Sequence, residues 1–370
     1  MSDIPASPPA PKRPAPSLPS LLGMEIADFG ELAGQAGLPG FAAKQLAKWV
    51  YEKRIFDPLA MTDLPKQGRE SLAALVSSGT HAPVKATESK DGTKKYLFTA
   101  EVQGSGAKTR SRFIEAAYIP DRDRATLCVS SQVGCKMGCL FCATGRQGFQ
   151  GQLSAAEILN QVVSIPETAS LSNIVFMGMG EPFDNLDSVL KVLRVLTSPW
   201  GFAWSPRRIT VSTVGVLPGL RRFLDESECH LAVSLHSPFH DERSSLMPVE
   251  SAYELPELVA MIRGFDFGRQ RRISFEYILF EGLNDSIRHV NEIARLLNGV
   301  NCRFNLIAFH AIPDSPLKPA PRSRLEWFRD ELNRKGFTAT IRASRGEDIL
   351  AACGLLSTKE LSKAKAGESL

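Results

Sequence analysis

The chain has 370 residues, of which 43% are hydrophobic and 23% are charged, and its formal net charge is +4. These values are ordinary for a globular protein and exclude a fibrous or fully disordered chain. The length predicts two domains, or one large α/β domain with additions, and the mild positive charge permits a nucleic-acid partner without requiring one.

The beginning of the chain predicts a disordered tail followed by a small helical domain. Residues 1–20 contain seven prolines and lack the apolar core of a signal peptide, so we expect a disordered tail and a cytoplasmic protein. Residues 21–90 favour a compact helical domain, with Leu46 and Trp49 on an apolar stripe and a helix after Pro65. A docking or RNA-binding accessory domain and a simple capping subdomain explain this pattern equally well.

Residues 91–122 predict a β extension of two strands, at 94–100 and 111–119. In the second strand, alternation places Glu115 on the same face as Phe113 and Ala117. A carboxylate is unexpected in that row if the face is buried. It indicates a bulge, an exposed face or a functional acid.

Residues 123–345 alternate between strand-like and helix-like segments. The strand-like segments are 125–130, 173–178, 208–214, 230–236, 272–280 and 303–309. The helices are expected to begin near Ser154, Asn185, Leu217, Leu255, Ser286 and Arg322. Six βα units predict parallel strands with right-handed crossovers. Six units are too few to close an eight-stranded barrel, so we predict an α/β partial (β/α)6 barrel, an open curved sheet with a further strand near 337–342. No run of about 18 apolar residues occurs, so no membrane span is expected.

Polar residues and glycines follow most of these strands. They are Gly180, Glu181, Ser212, Ser234, His236 and His310. In barrel-like folds the chemistry gathers on the loops after the strands. We therefore expect a functional site along this edge of the sheet.

Three of the seven cysteines form a C-x3-C-x2-C motif of Cys135, Cys139 and Cys142 after the first of these strands. An odd number of cysteines with three so crowded favours a reducing compartment and a metal-binding role. Three thiolates can bind three irons of a [4Fe–4S] cluster and leave the fourth iron open. Zinc is the alternative; it needs a fourth ligand, which His230, His236 or Cys128 would have to provide.

Several motifs together resemble a known family. The cysteine motif resembles the radical S-adenosylmethionine (SAM) superfamily. The fuller set resembles the RlmN/Cfr family of RNA adenine methyltransferases, and more closely its C2-methylating branch; it comprises ATLCVSSQVGC, GMGEP, RRITVSTVG, LAVSLHSP, RGEDILAACGLL and the N-terminal FAAKQLAKWVYEKRIFDPLAMTDLPK. The resemblance covers roughly residues 21–357.

The resemblance implies an enzyme that makes 2-methyladenosine in 23S rRNA and in tRNA. It implies a [4Fe–4S] cluster and two molecules of SAM per methylation: one methylates a cysteine, and reductive cleavage of the other yields the radical that activates the methylated thiol. It also implies a flavodoxin or ferredoxin as electron donor, and we expect a monomer without membrane contacts. Two alternatives stay open, namely a C8-adenosine methyltransferase that protects ribosomes from antibiotics and a non-catalytic RNA-binding homologue.

The resemblance also assigns roles to individual residues. Cys353, in the C-terminal segment 346–370, corresponds to the cysteine that carries the methyl group, Cys128 to the cysteine that releases the RNA through a transient disulfide, and Glu115 to a proton acceptor. The implied SAM contacts are Gly180, Glu181, Ser212, Ser234, Leu235, His236 and His310. Two positions depart from the family pattern, since His310 and Glu250 each stand where the family has asparagine. These departures put the detailed SAM pose or the preferred RNA in doubt.

Overall fold

The computed structural model describes residues 18–103, 109–268, 272–312 and 315–349. The described N-terminal helices are α1 (Ile26–Gln35), α2 (Ala42–Ala47), which continues into a π-helical turn (Lys48–Glu52), and α3 (Lys66–Leu75). Helix α3 begins directly after Pro65, as predicted. Tyr51 packs the N-terminal helices against the rest of the molecule. Its buried ring lies 6.0 Å from the ring of Trp200 and 5.5 Å from that of Phe202. The helices therefore share one apolar core with the sheet described next.

The rest of the described chain contains one ten-stranded sheet and a two-stranded ribbon, with helices between the strands. The strands are β1 (Lys85–Glu88), β2 (Lys94–Gln103), β3 (Thr109–Asp121), β4 (Arg124–Cys128), β5 (Gln132–Val133), β6 (Gly151–Gln152), β7 (Asn173–Phe176), β8 (Ile209–Thr213), β9 (His230–Ser234), β10 (Ile273–Leu279), β11 (Arg303–Ala308) and β12 (Thr338–Ile341). The large sheet has the order β1-β2-β3-β4-β7-β8-β9-β10-β11-β12, and β5 pairs with β6. Strands β1 to β4 pair antiparallel, whereas β4 and β7 to β12 pair parallel.

Helices connect the parallel strands. They are α4 (Ala143–Gln147), α5 (Ala155–Val163), α6 (Leu186–Thr197), α7 (Leu217–Glu226), α8 (His240–Leu246), α9 (Leu255–Arg263), α10 (Ile287–Leu296) and α11 (Arg322–Arg334). The predicted helix starts agree with this assignment to within one residue. Helix α8 was not predicted. The sheet is open, with β1 and β12 at its edges, so the predicted partial barrel and the further strand after α11 are both confirmed.

The inner and outer faces of the sheet follow from alternation along the strands. On β10, Tyr277 stacks on Phe328 of α11 at 5.1 Å, and Phe275 stacks on Phe304 of β11. These aromatic rings face the helices. Glu276 lies between Phe275 and Tyr277 and therefore faces the inside of the curved sheet. The residues that pair with Glu276 in register on the neighbouring strands face the same side. None of the helices in the described ranges is long and apolar enough to cross a membrane.

Candidate cofactor-binding and catalytic site

The parallel pairing brings the carboxyl ends of β4 and β7 to β12 to one edge of the sheet. The cysteine loop follows β4, Gly180 and Glu181 follow β7, and Ser234 ends β9. The structure thus brings the cysteine loop, Gly180, Glu181 and Ser234 to one edge of the sheet. This edge is called the rim below.

The cysteine loop is folded tightly by glycines and packed against α4 and α8. Gly134 has a φ of +72°, and a Cβ there would lie 1.8 Å from the carbonyl oxygen of Gly148, so no side chain fits. A Cβ on Gly145 would lie 3.1 Å from the backbone nitrogen of Cys139. The amide of Leu140 donates to the carbonyl of Leu246 at 2.9 Å. The glycine turns and the contact with α8 therefore fix the path of the backbone that carries the three cysteines.

The electrostatics of the three thiols fit a cationic group. Burial is the largest cause that raises the pKa of Cys135 to about 12, with Glu181 and Cys142 as lesser causes. Burial also raises the pKa of Cys139 well above its usual value, with Cys142 and Cys135 as additional causes. The thiols of Cys135 and Cys139 are therefore neutral by themselves, and a cationic group beside them would favour their thiolates. This donor set suits an iron–sulfur cluster held by three cysteines.

The structure excludes His230 as the fourth ligand of a zinc ion bound by the three cysteines. His230 begins β9, and its Nδ1 accepts a hydrogen bond from the amide of Arg272 at 3.0 Å. It therefore lies at the end of the strand opposite the rim, roughly 13 Å from it at about 3.3 Å per residue. Across the described ranges, no three His, Cys, Asp or Glu side chains are grouped to hold a single metal ion.

Glu181 is a buried carboxylate held by the ends of β7 and β8. Its Oε1 accepts from the Thr213 hydroxyl at 2.7 Å, and its Oε2 accepts from the amide of Val214 at 3.0 Å. Burial raises the pKa of Glu181 to about 7, although these hydrogen bonds oppose the shift. Its neighbour Gly180 has a φ of +100° and lies where a Cβ would come within 2.5 Å of the Cβ of Gln132. Sequence reasoning missed both Thr213 and Gln132 as supports of this turn.

The end of β9 presents Ser234 and a buried, neutral histidine. His236 has a φ of +55°, and its Nδ1 accepts from the amide of Ile278 at 3.0 Å. Burial, with Arg243 as the next cause, lowers the pKa of His236 to about 3. The imidazole is therefore uncharged, and since Nδ1 is an acceptor, Nε2 carries the proton. Its ring lies 4.7 Å from that of Phe141 in the cysteine loop.

Ser212 lies on the inner face of β8 and pairs in register with Ala232 of β9. Leu235 is buried, and its amide donates to the carbonyl of Glu276 at 3.0 Å. His310 lies beyond β11 with 42% of its side chain exposed, and its Nε2 is 2.9 Å from the hydroxyl of Ser344. His310 is thus exposed, whereas the other predicted SAM contacts are buried or half-buried.

Cys128 and Glu115 share the inner face of the antiparallel part of the sheet. Cys128 pairs with Ala117 of β3, so Glu115, two residues before Ala117, points to the same side. Glu115 is buried, in continuous register with β2, and 3.6 Å from the Nζ of Lys95. The bulge and the exposed face considered for Glu115 are therefore both wrong. Burial raises the pKa of the Cys128 thiol to about 11.

The chain after β12 is attached to the loop between β1 and β2. Asp348 accepts from the amide of Lys90 at 3.2 Å and from the Ser89 hydroxyl at 2.5 Å. The amide of Gly346 donates to the carboxylate of Asp91 at 2.9 Å. These contacts are called the C-terminal clasp below. The predicted methyl carrier, Cys353, lies outside the described residues.

Comparisons with known proteins agree with this architecture. Residues 129–297 match the radical SAM superfamily, and residues 20–77 match the ribosomal RNA large subunit methyltransferase N-terminal domain. A protein of Parabacteroides distasonis named "Probable dual-specificity RNA methyltransferase RlmN" is 56% identical over 91% of this chain and 96% of its own length. A protein of the same name from Geobacillus kaustophilus is 39% identical over 93% of this chain and 94% of its own.

A solved structure is similar over nearly the whole described fold. It is the crystal structure of a radical SAM methyltransferase from Sphaerobacter thermophilus, with a TM-score of 0.81 and 39% sequence identity. The match covers 91% of this chain and 98% of that protein. The open sheet with parallel strands and the N-terminal helices are therefore features that this chain has in common with relatives of similar length.

Proposed function

This chain belongs to the RlmN family of radical SAM RNA methyltransferases, and from that premise we propose that it methylates C2 of adenosine in 23S rRNA and in tRNA. The names of the similar proteins describe a dual-specificity RNA methyltransferase. The match of residues 20–77 to a ribosomal RNA methyltransferase domain supports ribosomal RNA as one substrate. Methylation of both RNAs would take place in the cytoplasm, with a flavodoxin or ferredoxin as electron donor.

The loop that carries the C-x3-C-x2-C motif after β4, with Cys135 and Cys139 buried beside the rim, is the observation that carries this proposal. Cys135, Cys139 and Cys142 would hold a [4Fe–4S] cluster, which supplies the electron for the reductive cleavage of SAM when it is bound. The raised pKa values of Cys135 and Cys139 mean that these two thiols need such a cationic partner to ionise. The glycine turns fix the backbone of this loop at the end of β4.

The rim residues would bind SAM. Glu181 would accept a hydrogen bond from the ammonium group of SAM, and the backbone at Gly180 admits the methionine portion. Ser212 and Ser234 would contact hydroxyl or carboxylate groups, and the Nε2–H of the neutral His236 offers a donor. Leu235 would contribute apolar contact and backbone, and His310 would contact adenosine from the exposed side of the rim.

The inner face would carry the steps on the RNA base. An adenine C2–H is neither acidic nor nucleophilic enough for ordinary methyl transfer, so the carbon has to be delivered by a methylated thiol, and we assign Cys353 as that carrier. Glu115 would accept the proton that leaves C2, and the ammonium of Lys95, 3.6 Å away, would stabilise the carboxylate before that step. The thiolate of Cys128 would then attack the sulfur of Cys353 and form a disulfide, while the bond between that sulfur and the carbon on the RNA breaks. The carbon would keep the bonding electrons and take up a proton to become the methyl group of the released RNA.

The C-terminal clasp supports the assignment of Cys353. It attaches residues 346 and 348 to the loop that precedes β2, the strand that carries Lys95. Cys353 lies four positions after Ile349 in the chain, a chain length of at most about 14 Å. We infer that this attachment would keep Cys353 within reach of the strands that carry Glu115 and Cys128.

Isotope-labelled RNA tests the target carbon. Purified protein is reconstituted without oxygen and incubated with SAM, a reductant and RNA that carries deuterium at either C2 or C8 of adenosine. We expect mass spectrometry of the digested RNA to give 2-methyladenosine with loss of deuterium only from the C2-labelled substrate. Loss from the C8-labelled substrate would establish the C8 activity instead, and no methylated adenosine from either substrate would favour the non-catalytic alternative.

A further inference from the structure

Arg243 of helix α8 is completely buried, and its guanidinium joins the ends of two neighbouring strands. Its Nη2 donates to the carbonyl of Val214 at 2.7 Å, after β8, and to that of Ser234 at 3.0 Å, at the end of β9. Its Nε donates to the carbonyl of Leu235 at 3.2 Å. The planar fork of an arginine suits such simultaneous contacts, whereas a lysine ammonium cannot reproduce their geometry.

The backbone that Arg243 holds is the backbone that presents the proposed SAM contacts. Ser234 and Leu235 are themselves among those contacts. Val214 links Arg243 to Glu181, which is another of these contacts. Its amide donates to Glu181 Oε2 at 3.0 Å, and its carbonyl accepts from Arg243. One side chain thus ties together residues that follow three different strands.

Helix α8 also packs on the cysteine loop. The carbonyl of Leu246, at the end of α8, accepts from the amide of Leu140 in the cysteine loop at 2.9 Å. Leu246 and Met247 belong to one buried apolar cluster with Cys139. Movement of α8 would therefore displace the cysteine loop and the rim together.

Glu250 neutralises the buried guanidinium. It lies in a 3₁₀ turn (Pro248–Ser251) with 1% of its side chain exposed, and its Oε2 pairs with the Nη1 of Arg243. Its other oxygen accepts from the amide of Leu255 at 3.1 Å, at the start of α9. A buried arginine without such a counter-ion would be strongly unfavourable. The departure from asparagine noted at position 250 therefore has a structural function in this chain.

We propose that Arg243, neutralised by Glu250, is a positioning residue for SAM: it fixes the strand ends at Val214, Ser234 and Leu235 in the arrangement that binds the cofactor. The inference rests on the proposed function in that the ligand is SAM. Arg243 does not touch the ligand. It acts through the carbonyl groups that it holds and through the contact of α8 with the cysteine loop.

Replacing the whole pair separates this role from a contribution to stability alone. The single variant R243M removes the arginine beside the buried Glu250 and leaves His240 Nδ1, 3.3 Å from Glu250 Oε1, as its remaining ionisable partner, so the variant should unfold at a lower temperature. The double variant R243M/E250M removes both charges, so its thermal stability should recover toward that of the wild type. The three carbonyl contacts remain lost. We expect the double variant to bind SAM at least tenfold more weakly in equilibrium dialysis of the anaerobically reconstituted holoprotein.

An exposed ion pair gives the matched control. Arg322 and Glu326 of α11 lie 2.8 Å apart on the surface, and R322M/E326M should bind SAM as the wild type does. A folded R243M/E250M protein whose Kd for SAM stays within twofold of the wild type would overturn the inference. Failure of the wild type itself to bind SAM would instead contradict the proposed function.

A conservative variant keeps the test decisive if the double variant does not fold. R243K retains the charge beside Glu250 but cannot hold the three carbonyl groups in the same geometry. We expect its KM for SAM to rise at least fivefold while kcat changes less than twofold. An unchanged KM in folded R243K would equally overturn the positioning role.

Discussion

The ionisation of Glu181 should make SAM binding depend on pH. Burial raises its pKa to about 7, so below that pH the carboxyl group is neutral and does not attract the SAM ammonium. An α-amino group stays protonated up to about pH 8. We therefore expect SAM affinity to increase roughly five- to tenfold from pH 6 to pH 7.5, following the ionised fraction of Glu181.

The E181Q variant provides the comparison for this pH dependence. Through its one oxygen, an amide of the same shape can accept a hydrogen bond from the amide of Val214, and its nitrogen can donate to the Thr213 hydroxyl, but it carries no charge at any pH. Isothermal titration calorimetry across the same pH range should give weak binding that hardly changes with pH. An equally steep increase in E181Q would show that another group titrates.

Lys95 and Glu115 form a buried ion pair whose disruption should be costly. Their side chains are 1% and 7% exposed, so K95M leaves a carboxylate in the interior without its counter-ion. Removing one partner of a buried pair typically costs about 3–5 kcal/mol. Urea denaturation should detect this loss in the free energy of unfolding of K95M.

An exposed lysine gives the control for K95M. Lys48 pairs with Glu52 on the surface, with 55% of its side chain exposed, and K48M should change the free energy of unfolding by less than about 0.5 kcal/mol. Similar values for the two variants would contradict the assignment of Lys95 as the counter-ion of Glu115.

At the residue scale, the sequence predicts which residues have a chemical role better than it predicts which residues surround them. The spacing of Cys135, Cys139 and Cys142 predicts a shared site because the ligands lie within eight residues of one another. The partner of Glu115 could not be predicted, since Lys95 belongs to another strand and meets it only through the β2–β3 register. The same holds for Arg243, whose acceptors follow two separate strands.

At the scale of elements, the C-terminal clasp should control how efficiently Cys353 reaches the site. D348A removes the hydrogen bonds to Ser89 and Lys90, so the segment that leads to Cys353 loses part of its attachment. We expect the holoprotein to methylate Cys353 several-fold more slowly, as measured by mass spectrometry of the tryptic peptide. SAM affinity should not change, because the rim is intact.

A second exposed aspartate serves as the control for the clasp. Asp330 pairs with Arg329 on the surface of α11, and D330A should methylate Cys353 at the wild-type rate. Methylation of Cys353 at that same rate in D348A would contradict a role for the clasp.

Long periodic elements were predictable, whereas short polar ones were not. Helix α6 follows an apolar pattern over twelve residues, and its predicted start is correct. Helix α8 has seven residues, of which only Leu246 is apolar, so it carries no periodic signal and forms because Arg243 and Leu246 are buried by neighbouring elements. Arg243, which holds the ends of two strands of the rim, therefore lies on a helix that the sequence does not predict.

At the scale of the whole molecule, the N-terminal helices and the sheet should unfold together. They share one apolar core, in which Tyr51 packs between Phe29 of α1 and the rings of Trp200 and Phe202. We expect coincident denaturant transitions for a variant that retains only Trp49, in the N-terminal region, and for one that retains only Trp327, on α11. The Y51A substitution should lower both midpoints together, with a loss of about 3–5 kcal/mol. A separate early transition at Trp49 would indicate an independent domain.

The overall architecture was predictable because alternating strands and helices restrict the topology to parallel strands with right-handed crossovers. The parallel sheet and the strand ends on one edge follow from that rule. The contacts between the N-terminal helices and the sheet do not, because nothing in the local pattern around Tyr51 specifies Trp200 as its neighbour. Likewise the clasp joins residues more than 250 positions apart in the chain.

Methylation of RNA by cysteine variants tests directly whether the reaction requires a cluster held by Cys135, Cys139 and Cys142. Wild-type protein and the C135A, C139A and C142A variants are each reconstituted with iron and sulfide without oxygen, then incubated with SAM, reductant and RNA. We expect 2-methyladenosine in RNA treated with the wild type and none with any of the three variants, which should also lack the visible absorbance of an iron–sulfur cluster. Methylated adenosine at the wild-type level in any one of these variants would contradict a cluster-dependent methylation that needs all three cysteines.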